Sequence, residues 1–158
     1  MKTLKYILPL FILTISLGLT SCKKKCVVEA DTINGGSIIK DVIFYPESGY
    51  MTSNMFGDYS IDASHPDADR LQISISGAAK TNVNYNNYTV LCYPISAKCN
   101  AAYDRTVTID NINETVVYKI VVTQCANCEE VRMTENYVIV PAFPSNYTVL
   151  YDISYIDK

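Results

Sequence analysis

The fold is indicated by one stretch of the chain, Thr115-Val-Val-Tyr-Lys-Ile-Val-Val-Thr123. Val116, Tyr118, Ile120 and Val122 occupy alternate positions in it. Because successive side chains of a strand point to opposite faces, this period of two predicts a β-strand. The intervening positions are also mostly apolar, so we expect the strand to be central in its sheet, with both faces covered.

The same period recurs on both sides of that stretch. Leu71, Ile73 and Ile75 alternate with polar residues, and large side chains fall on odd positions from Tyr147 to Tyr155. After residue 22, no segment keeps an apolar period of 3.6 over three helical turns. Further strands are predicted near 27–31, 37–45, 57–62, 83–93, 106–109 and 131–140.

Turn-forming residues separate these segments, as in Asn34-Gly35-Gly36 and Asp110-Asn-Ile-Asn113. About nine strands with no helical crossover predict an all-β fold. We favour an antiparallel, immunoglobulin-like β-sandwich. A barrel is the alternative, because periodicity does not distinguish the two.

Composition limits the possible functions. The chain has 158 residues, a formal net charge of −3 at pH 7 and one histidine. Such a length fits one domain, which we place at residues 27–158. The weak negative charge disfavours nucleic acid as a partner. A single histidine excludes a metal site with several histidines from one chain, and we expect no cofactor.

Residues 1–21 are predicted to be a signal peptide that is removed. The apolar run from Tyr6 to Leu19 would span roughly 21 Å as a helix, less than the roughly 30 Å of a bilayer's hydrocarbon core. It ends in Leu19-Thr20-Ser21-Cys22, which resembles the lipobox of bacterial lipoproteins. The resemblance implies cleavage before Cys22 and diacylglycerol on its sulfur, a stable membrane anchor. An ordinary signal peptide followed by an incidental cysteine is the alternative.

Residues 22–26 are predicted to be a lipidated tether. The residue after the lipobox cysteine is Lys23, not the aspartate that retains many lipoproteins in the inner membrane, so the resemblance favours the outer membrane. The short Ser-Cys-Lys-Lys start also resembles lipoproteins of Bacteroidota. Lys23 to Lys25 either contact anionic lipid headgroups or form a solvated linker.

A second resemblance concerns the fold. Gly36-Ser-Ile-Ile-Lys-Asp-Val42 is followed by Gly57-Asp-Tyr-Ser-Ile61, two short patterns that resemble those of carboxypeptidase-regulatory-like β-sandwich modules. The resemblance covers about 26 residues. It implies a non-catalytic sandwich, in agreement with the strand pattern.

Six cysteines distinguish this chain. An exported protein is expected to form disulfides, and with Cys22 assigned to the lipid an odd number remains. We take Cys26, in the tether, as the odd one. Structural disulfides are then predicted among four cysteines, preferably pairing the region of the first two with that of the last two, with local pairs as the alternative. The four are Cys92, Cys99, Cys125 and Cys128.

Two other chemistries are open to these cysteines. Cys125 and Cys128 form a C-x-x-C that could contribute to a zinc site or act as a redox dithiol. The spacing from Cys92 to Cys99 is unusual for zinc. No helix is predicted after Cys128, and Glu129 would raise the pKa of a neighbouring thiol by charge repulsion. A zinc or thiol-redox protein is therefore the alternative function.

The chain contains 13 tyrosines, which offer rigid amphipathic area for binding sugars or proteins. Tyrosine is also an ordinary strand residue, so the content alone does not prove a site. We predict a tyrosine-lined binding face from those near turns and strand ends. These candidates are Tyr45, Tyr50, Tyr59, Tyr85, Tyr88 and Tyr93.

An acidic loop is a weaker candidate, for calcium. Its carboxylates are Asp58, Asp62, Asp67 and Asp69, whose spacing lacks the glycine and glutamate of an EF-hand. A solvated acidic turn is the simpler interpretation. The one histidine, His65, lies in the same loop and would have to serve any histidine-dependent catalysis.

Taken together, these features predict a lipid-anchored lipoprotein of the cell envelope with a non-catalytic binding or structural domain. Its expected partners are the membrane, through Cys22, and an envelope protein or glycan. We expect no enzymatic activity.

Overall fold

The computed structural model describes residues 30–39, 41–44, 59–66, 68–75, 77, 79–125 and 128–158. These residues form eleven strands and one short 3-10 helix at Ala68–Arg70. Among them, no helix is long and apolar enough to cross a membrane. The strands are β1 (Thr32–Asn34), β2 (Ser37–Ile38), β3 (Asp41–Phe44), β4 (Tyr59–Ile61), β5 (Leu71–Ser74), β6 (Thr81–Asn82), β7 (Tyr88–Lys98), β8 (Ala102–Asp110), β9 (Thr115–Gln124), β10 (Val131–Pro141) and β11 (Thr148–Asp157).

The strands form three sheets, with orders β1-β8-β9-β11, β2-β10-β7-β4 and β3-β5-β6. The predicted all-β sandwich is confirmed, and in the described part of the chain no sheet closes into a barrel. The predicted boundary between tether and domain at residues 26 and 27 lies outside the described residues.

The prediction of a purely antiparallel sandwich is wrong for two strand pairs. β1 pairs with β8 in parallel, and β11 pairs with β9 in parallel over ten residues. Between β9 and β11 the chain crosses to the second sheet as β10, so it returns to the first sheet in its original direction. Side-chain alternation reports a strand and its buried face but not the direction of its neighbour.

Two hydrophobic cores flank the sheet that contains β7 and β10. Leu91 and Val138 face the main core, between this sheet and the sheet of β8 and β9. Val90 and Ile139 face the second core, which is closed by β5 and the 3-10 helix. Since neighbouring residues on one strand enter different cores, this sheet is the middle layer.

The burial of β9 agrees with the prediction on one face only. The four side chains at Val116, Tyr118, Ile120 and Val122 are fully buried, and the strand lies between β8 and β11 as expected. On its other face Lys119 is exposed, so β9 is covered on one face, unlike the prediction. The middle sheet holds strands that are buried on both faces: β10 is buried from Asn136 to Val140, and β7 from Thr89 to Cys92.

Candidate functional site

The molecule has two ends, defined by β7 and β10, which run antiparallel in register from the pair Tyr88–Pro141 to the pair Lys98–Val131. Eleven residues of strand separate them by about 33 Å. We call the end at Lys98 the cysteine end, because Cys99 follows β7 there, Cys125 follows β9 and Cys128 precedes β10. We call the end at Tyr88 the groove end.

One disulfide closes the cysteine end. Cys99 and Cys128 are bonded, with their Cα atoms 6.2 Å apart and their positions 29 apart in sequence. The backbone N–H of Cys99 also donates to the carbonyl of Glu130 at 2.9 Å, which extends the pairing of β7 with β10. This pair joins the two cysteine regions, as preferred from the sequence.

The assignment of Cys92 to a disulfide is wrong. Cys92 is a fully buried thiol on the face of β7 that packs into the second core. The strand continues without a turn to Lys98, so Cys92 lies roughly 20 Å from the cysteine end. The apolar pattern that places Cys92 on a strand also separates it from the other cysteines.

Cys125 is disulfide-bonded and buried, and its bond is separate from that of Cys128. The C-x-x-C motif therefore does not form a dithiol or disulfide of its own. In this oxidised form neither sulfur is a thiolate, which both zinc binding and nucleophilic redox chemistry require.

A buried polar network, absent from the sequence prediction, lies between the two large sheets. The Arg105 side chain is 4% exposed and its Nη1 donates to the Asp31 carboxylate at 3.1 Å. Its Nη2 donates to the side-chain oxygen of Asn136 at 2.6 Å. Asn136 in turn donates to the carbonyls of Tyr93 and Thr134. Arg105 thus ties β8 to β10 and to the segment before β1.

An aromatic ring packs against the network, and one of the network's polar atoms lacks a hydrogen bond. The guanidinium of Arg105 lies 5.1 Å from the centre of the Tyr103 ring, a cation–π distance. The Tyr118 hydroxyl donates to the Asn136 carbonyl at 3.1 Å, and burial raises the pKa of Tyr118 above its ordinary value. Nε of Arg105 is buried with no hydrogen-bond partner among the described residues.

The predicted tyrosines do not share one face. Tyr93 packs against the main core with its ring 5.2 Å from that of Tyr151. Tyr85 packs against the second core, and its hydroxyl is buried with no hydrogen-bond partner in the described part of the chain. Burial raises the pKa of Tyr85 above its ordinary value. Both are packing residues.

The other tyrosines divide into two groups. Tyr45 and Tyr50 lie outside the described residues, and for Tyr59 only the strand position is described, opposite Cys92 on β7. Tyr88 is 44% exposed at the groove end. Among the predicted binding tyrosines that the structure describes, Tyr88 lines an open groove.

The groove at Tyr88 is a cavity of about 480 Å³. It is bounded by the turn between β1 and β2, by Ile75 after β5 and by the last residues of β10. None of its lining side chains is charged, and the hydroxyls of Ser37 and Tyr88 are its side-chain polar groups. The lining residues are Gly35, Gly36, Ser37, Ile75, Tyr88, Ile139, Val140 and Pro141.

Two glycines let the turn approach the sandwich closely. Gly35 has φ +84°, and a Cβ there would collide with the carbonyl of Val107. At Gly36 a Cβ would lie 2.7 Å from the Ile139 carbonyl oxygen and 2.9 Å from a methyl of Val140. The groove has its shape because neither position carries a side chain. In the sequence, the Gly35-Gly36 pair was the feature that indicated this close approach.

The acidic loop is only partly described. Asp58 and Asp67 lie outside the described residues, and among the described ones no group of three metal-ligating side chains occurs. The Asp62 carboxylate accepts from the backbone N–H and hydroxyl of Ser64 at 2.8 and 2.6 Å, the hydroxyl bond being the main cause of its lowered pKa. His65 follows in the same turn, and its backbone N–H donates to the backbone carbonyl of Asp62. Asp69 is exposed.

Comparison with protein-family models, with curated proteins and with solved structures finds no match to this chain.

Proposed function

We propose that the protein is an outer-membrane-anchored lipoprotein whose β-sandwich is a non-catalytic binding module for a segment of another envelope protein. The observation that carries the binding role is the groove at Tyr88. Its lining is uncharged, one aromatic ring is half-exposed, and its lining residues include no carboxylate, histidine, lysine or cysteine.

The anchor is supported by the sequence at the lipobox. Leu19-Thr20-Ser21-Cys22 follows an apolar run of signal-peptide length, and Lys23 favours the outer membrane. The stable fold begins within ten residues of that cysteine, since Asp31 is already bonded to β8. A lipid on Cys22 would therefore hold the sandwich close to a membrane surface.

The chemistry of the groove favours protein over glycan. A sugar site needs several side-chain hydrogen bonds around its aromatic platform, because each sugar hydroxyl removed from water requires a partner. Here Ile75, Ile139, Val140 and Pro141 supply apolar contact, and only two side-chain hydroxyls accompany them. An apolar segment with an aliphatic or proline side chain that packs on Tyr88 fits this lining.

The test is site-specific photo-crosslinking in cells with the full chain. A photoreactive phenylalanine analogue at Tyr88 should capture one defined envelope protein. The same analogue at Tyr155, which is 51% exposed near the cysteine end, is the matched control and should capture much less.

A second variant distinguishes specific capture from chance contact. Ile75→Asp puts a charge on the groove wall and should reduce capture at position 88 about tenfold, as a buried charge disfavours an apolar ligand. A soluble fragment of the captured protein should compete. Equal capture at positions 88 and 155 that does not change with Ile75→Asp would contradict the proposal. Capture of a glycan alone would show that the ligand is a sugar and not a protein segment.

A further inference from the structure

The identity of the partner of Cys125 follows from counting cysteines. Cys125 is disulfide-bonded. Cys99 and Cys128 are bonded to each other, and Cys92 is a buried thiol. The chain has six cysteines, so the candidates that it offers as the partner of Cys125 are Cys22 and Cys26.

The first described residues lie at the same end of the sandwich as Cys125. Ala30 and Lys158 line the same cavity of about 260 Å³ at the cysteine end. The backbone N–H of Lys158 donates at 2.9 Å to the carbonyl of Gln124, the residue before Cys125. Asp31 accepts from the N–H of Tyr103 at 3.1 Å, which holds the start of the domain at this end.

We propose that Cys26 and Cys125 form the second disulfide. Cys26 precedes Ala30 by four residues, which span at most about 14 Å, so it can reach Cys125 from the chain's position at Ala30. Under the proposed function, on which this inference rests, the sulfur of Cys22 is a thioether and has no thiol to oxidise. Cys26 lies outside the described residues, and this proposal differs from the sequence-based expectation that it is the odd cysteine.

The bond forms by ordinary thiol–disulfide exchange during export. The thiols of Cys26 and Cys125 lose two protons and two electrons to a protein disulfide oxidant of the envelope, whose own disulfide takes them up and becomes two thiols. Cys99 and Cys128 use a second oxidant molecule in the same way. Cys92 is protected from this exchange by burial in the second core.

The bond assigns a membrane-facing surface. From Cys22 to Cys26 the chain spans at most about 14 Å, and a disulfide adds roughly 6 Å between Cα atoms. The cysteine end would therefore lie within about 20 Å of the lipidated residue. The groove end, about 33 Å further along the strands, points away from the bilayer.

Disulfide mapping tests the bond directly. The full chain is exported with its own N-terminus, purified from the membrane fraction, alkylated without reduction and digested with trypsin. We expect one cluster of three peptides, 26–40, 99–105 and 120–132, and a separate alkylated peptide 81–98 that contains Cys92. In the variant Cys99→Ser/Cys128→Ser, peptides 26–40 and 120–132 should remain linked, which assigns the bond to Cys125.

The other outcomes separate this inference from the anchor. An alkylated Cys26 together with a lipidated Cys22 overturns the disulfide and leaves the anchor intact. A lipid-free Cys22 linked to peptide 120–132 overturns both. A lipid-free Cys22 with the Cys26 bond present overturns the anchor and the membrane-facing assignment, and confirms the disulfide.

The orientation has a separate readout. A fluorescent amino acid is placed at Lys158, at the cysteine end, or at Ile112, a 92% exposed turn residue beyond the opposite end of β9. The lipoprotein is then reconstituted in phosphatidylethanolamine–phosphatidylglycerol vesicles that carry a headgroup quencher. Quenching should be at least twofold stronger at 158 than at 112, and Cys26→Ser should reduce the difference. Equal quenching at both sites would overturn the membrane-facing assignment.

Discussion

At the cysteine end the sandwich is held by covalent bonds and buried charge, whereas at the groove end it is held by close backbone contact. The Cys99–Cys128 bond and the contacts of Asp31 fix the first end. At the second, Gly36 places a turn directly against β10 and leaves an uncharged cavity beside it. We therefore expect the first end to depend on these bonds for its stability, and the second, under the proposed function, to receive the ligand.

The largest expected effect concerns the charge next to the cysteine end. Arg105→Ala removes the partner of Asn136 and Asp31 from a buried site, so we expect a loss of about 3–5 kcal/mol in the free energy of unfolding by urea titration. Arg132→Ala is the control, because its bidentate pair with Glu130 is exposed and screened by solvent. If both variants lose the same stability, the buried network is not what holds this end.

The next effect concerns the disulfide itself. The bond joins residues that are 29 positions apart, so its removal by Cys99→Ala/Cys128→Ala should cost about 3–4 kcal/mol in thermal or urea unfolding, because the unfolded chain regains loop entropy. Cys92→Ala, which removes one buried sulfur atom from the second core, should cost only roughly 1 kcal/mol. An unchanged midpoint after removal of the disulfide would show that the cysteine end is stable without it.

At the groove end the decisive substitution is Gly36→Ala. The new methyl must displace the Ile139 carbonyl or the Val140 side chain, so we expect a cost of about 1–3 kcal/mol and weaker crosslinking from Tyr88. Gly77→Ala is the control, since a Cβ there meets nothing within 4 Å and only the positive φ is strained, at roughly 1 kcal/mol. Undiminished crosslinking from Tyr88 in the Gly36 variant would show that the turn between β1 and β2 is not part of the binding site.

The smallest effect is pH-dependent and belongs to the acidic loop that follows β4. The Ser64 hydroxyl lowers the pKa of Asp62 below its ordinary 3.8. Because the ionised carboxylate is favoured in the folded state, this hydrogen bond stabilises the fold above pH 3.8. The contribution is lost as the pH falls through the pKa of the folded state. Ser64→Ala should raise the Asp62 pKa in an NMR titration and slightly reduce stability near neutral pH. His65→Ala, in the same turn, should leave most of the shift, since its effects on Asp62 are smaller. An Asp62 pKa that does not move in Ser64→Ala would contradict this account.

Sequence patterns predicted the local features of the fold better than its long-range pairings. Alternation at Val116 to Val122 identified β9 and its buried face, because these depend on neighbouring residues alone. The parallel pairing of β9 with β11 depends on where the intervening strand lies, which alternation does not encode. The burial of β10 on both faces was not predicted because the buried run from Asn136 to Val140 begins with a polar residue. Asn136 is buried together with Arg105, its hydrogen-bond partner, which is 31 positions away in the chain.

The candidate site was predicted in part for the same reason. Tyr88 and the Gly35-Gly36 turn are visible in the sequence, but the contribution of Ile75 and Pro141 appears only when three separate segments meet. Tyr85 and Tyr93 have the same residue type and similar surroundings in sequence as Tyr88, yet they pack against different cores. Residue type therefore indicated a class of candidates and tertiary packing selected among them.

The most direct test of the central claim, a lipid-anchored sandwich fastened at its cysteine end, is the intact mass of the protein from the membrane fraction, before and after reduction. The account predicts a chain that begins at Cys22, carries a diacylglycerol group and gains on reduction the four hydrogens of two disulfides. A chain without lipid, or a gain of only the two hydrogens of one disulfide, would contradict it.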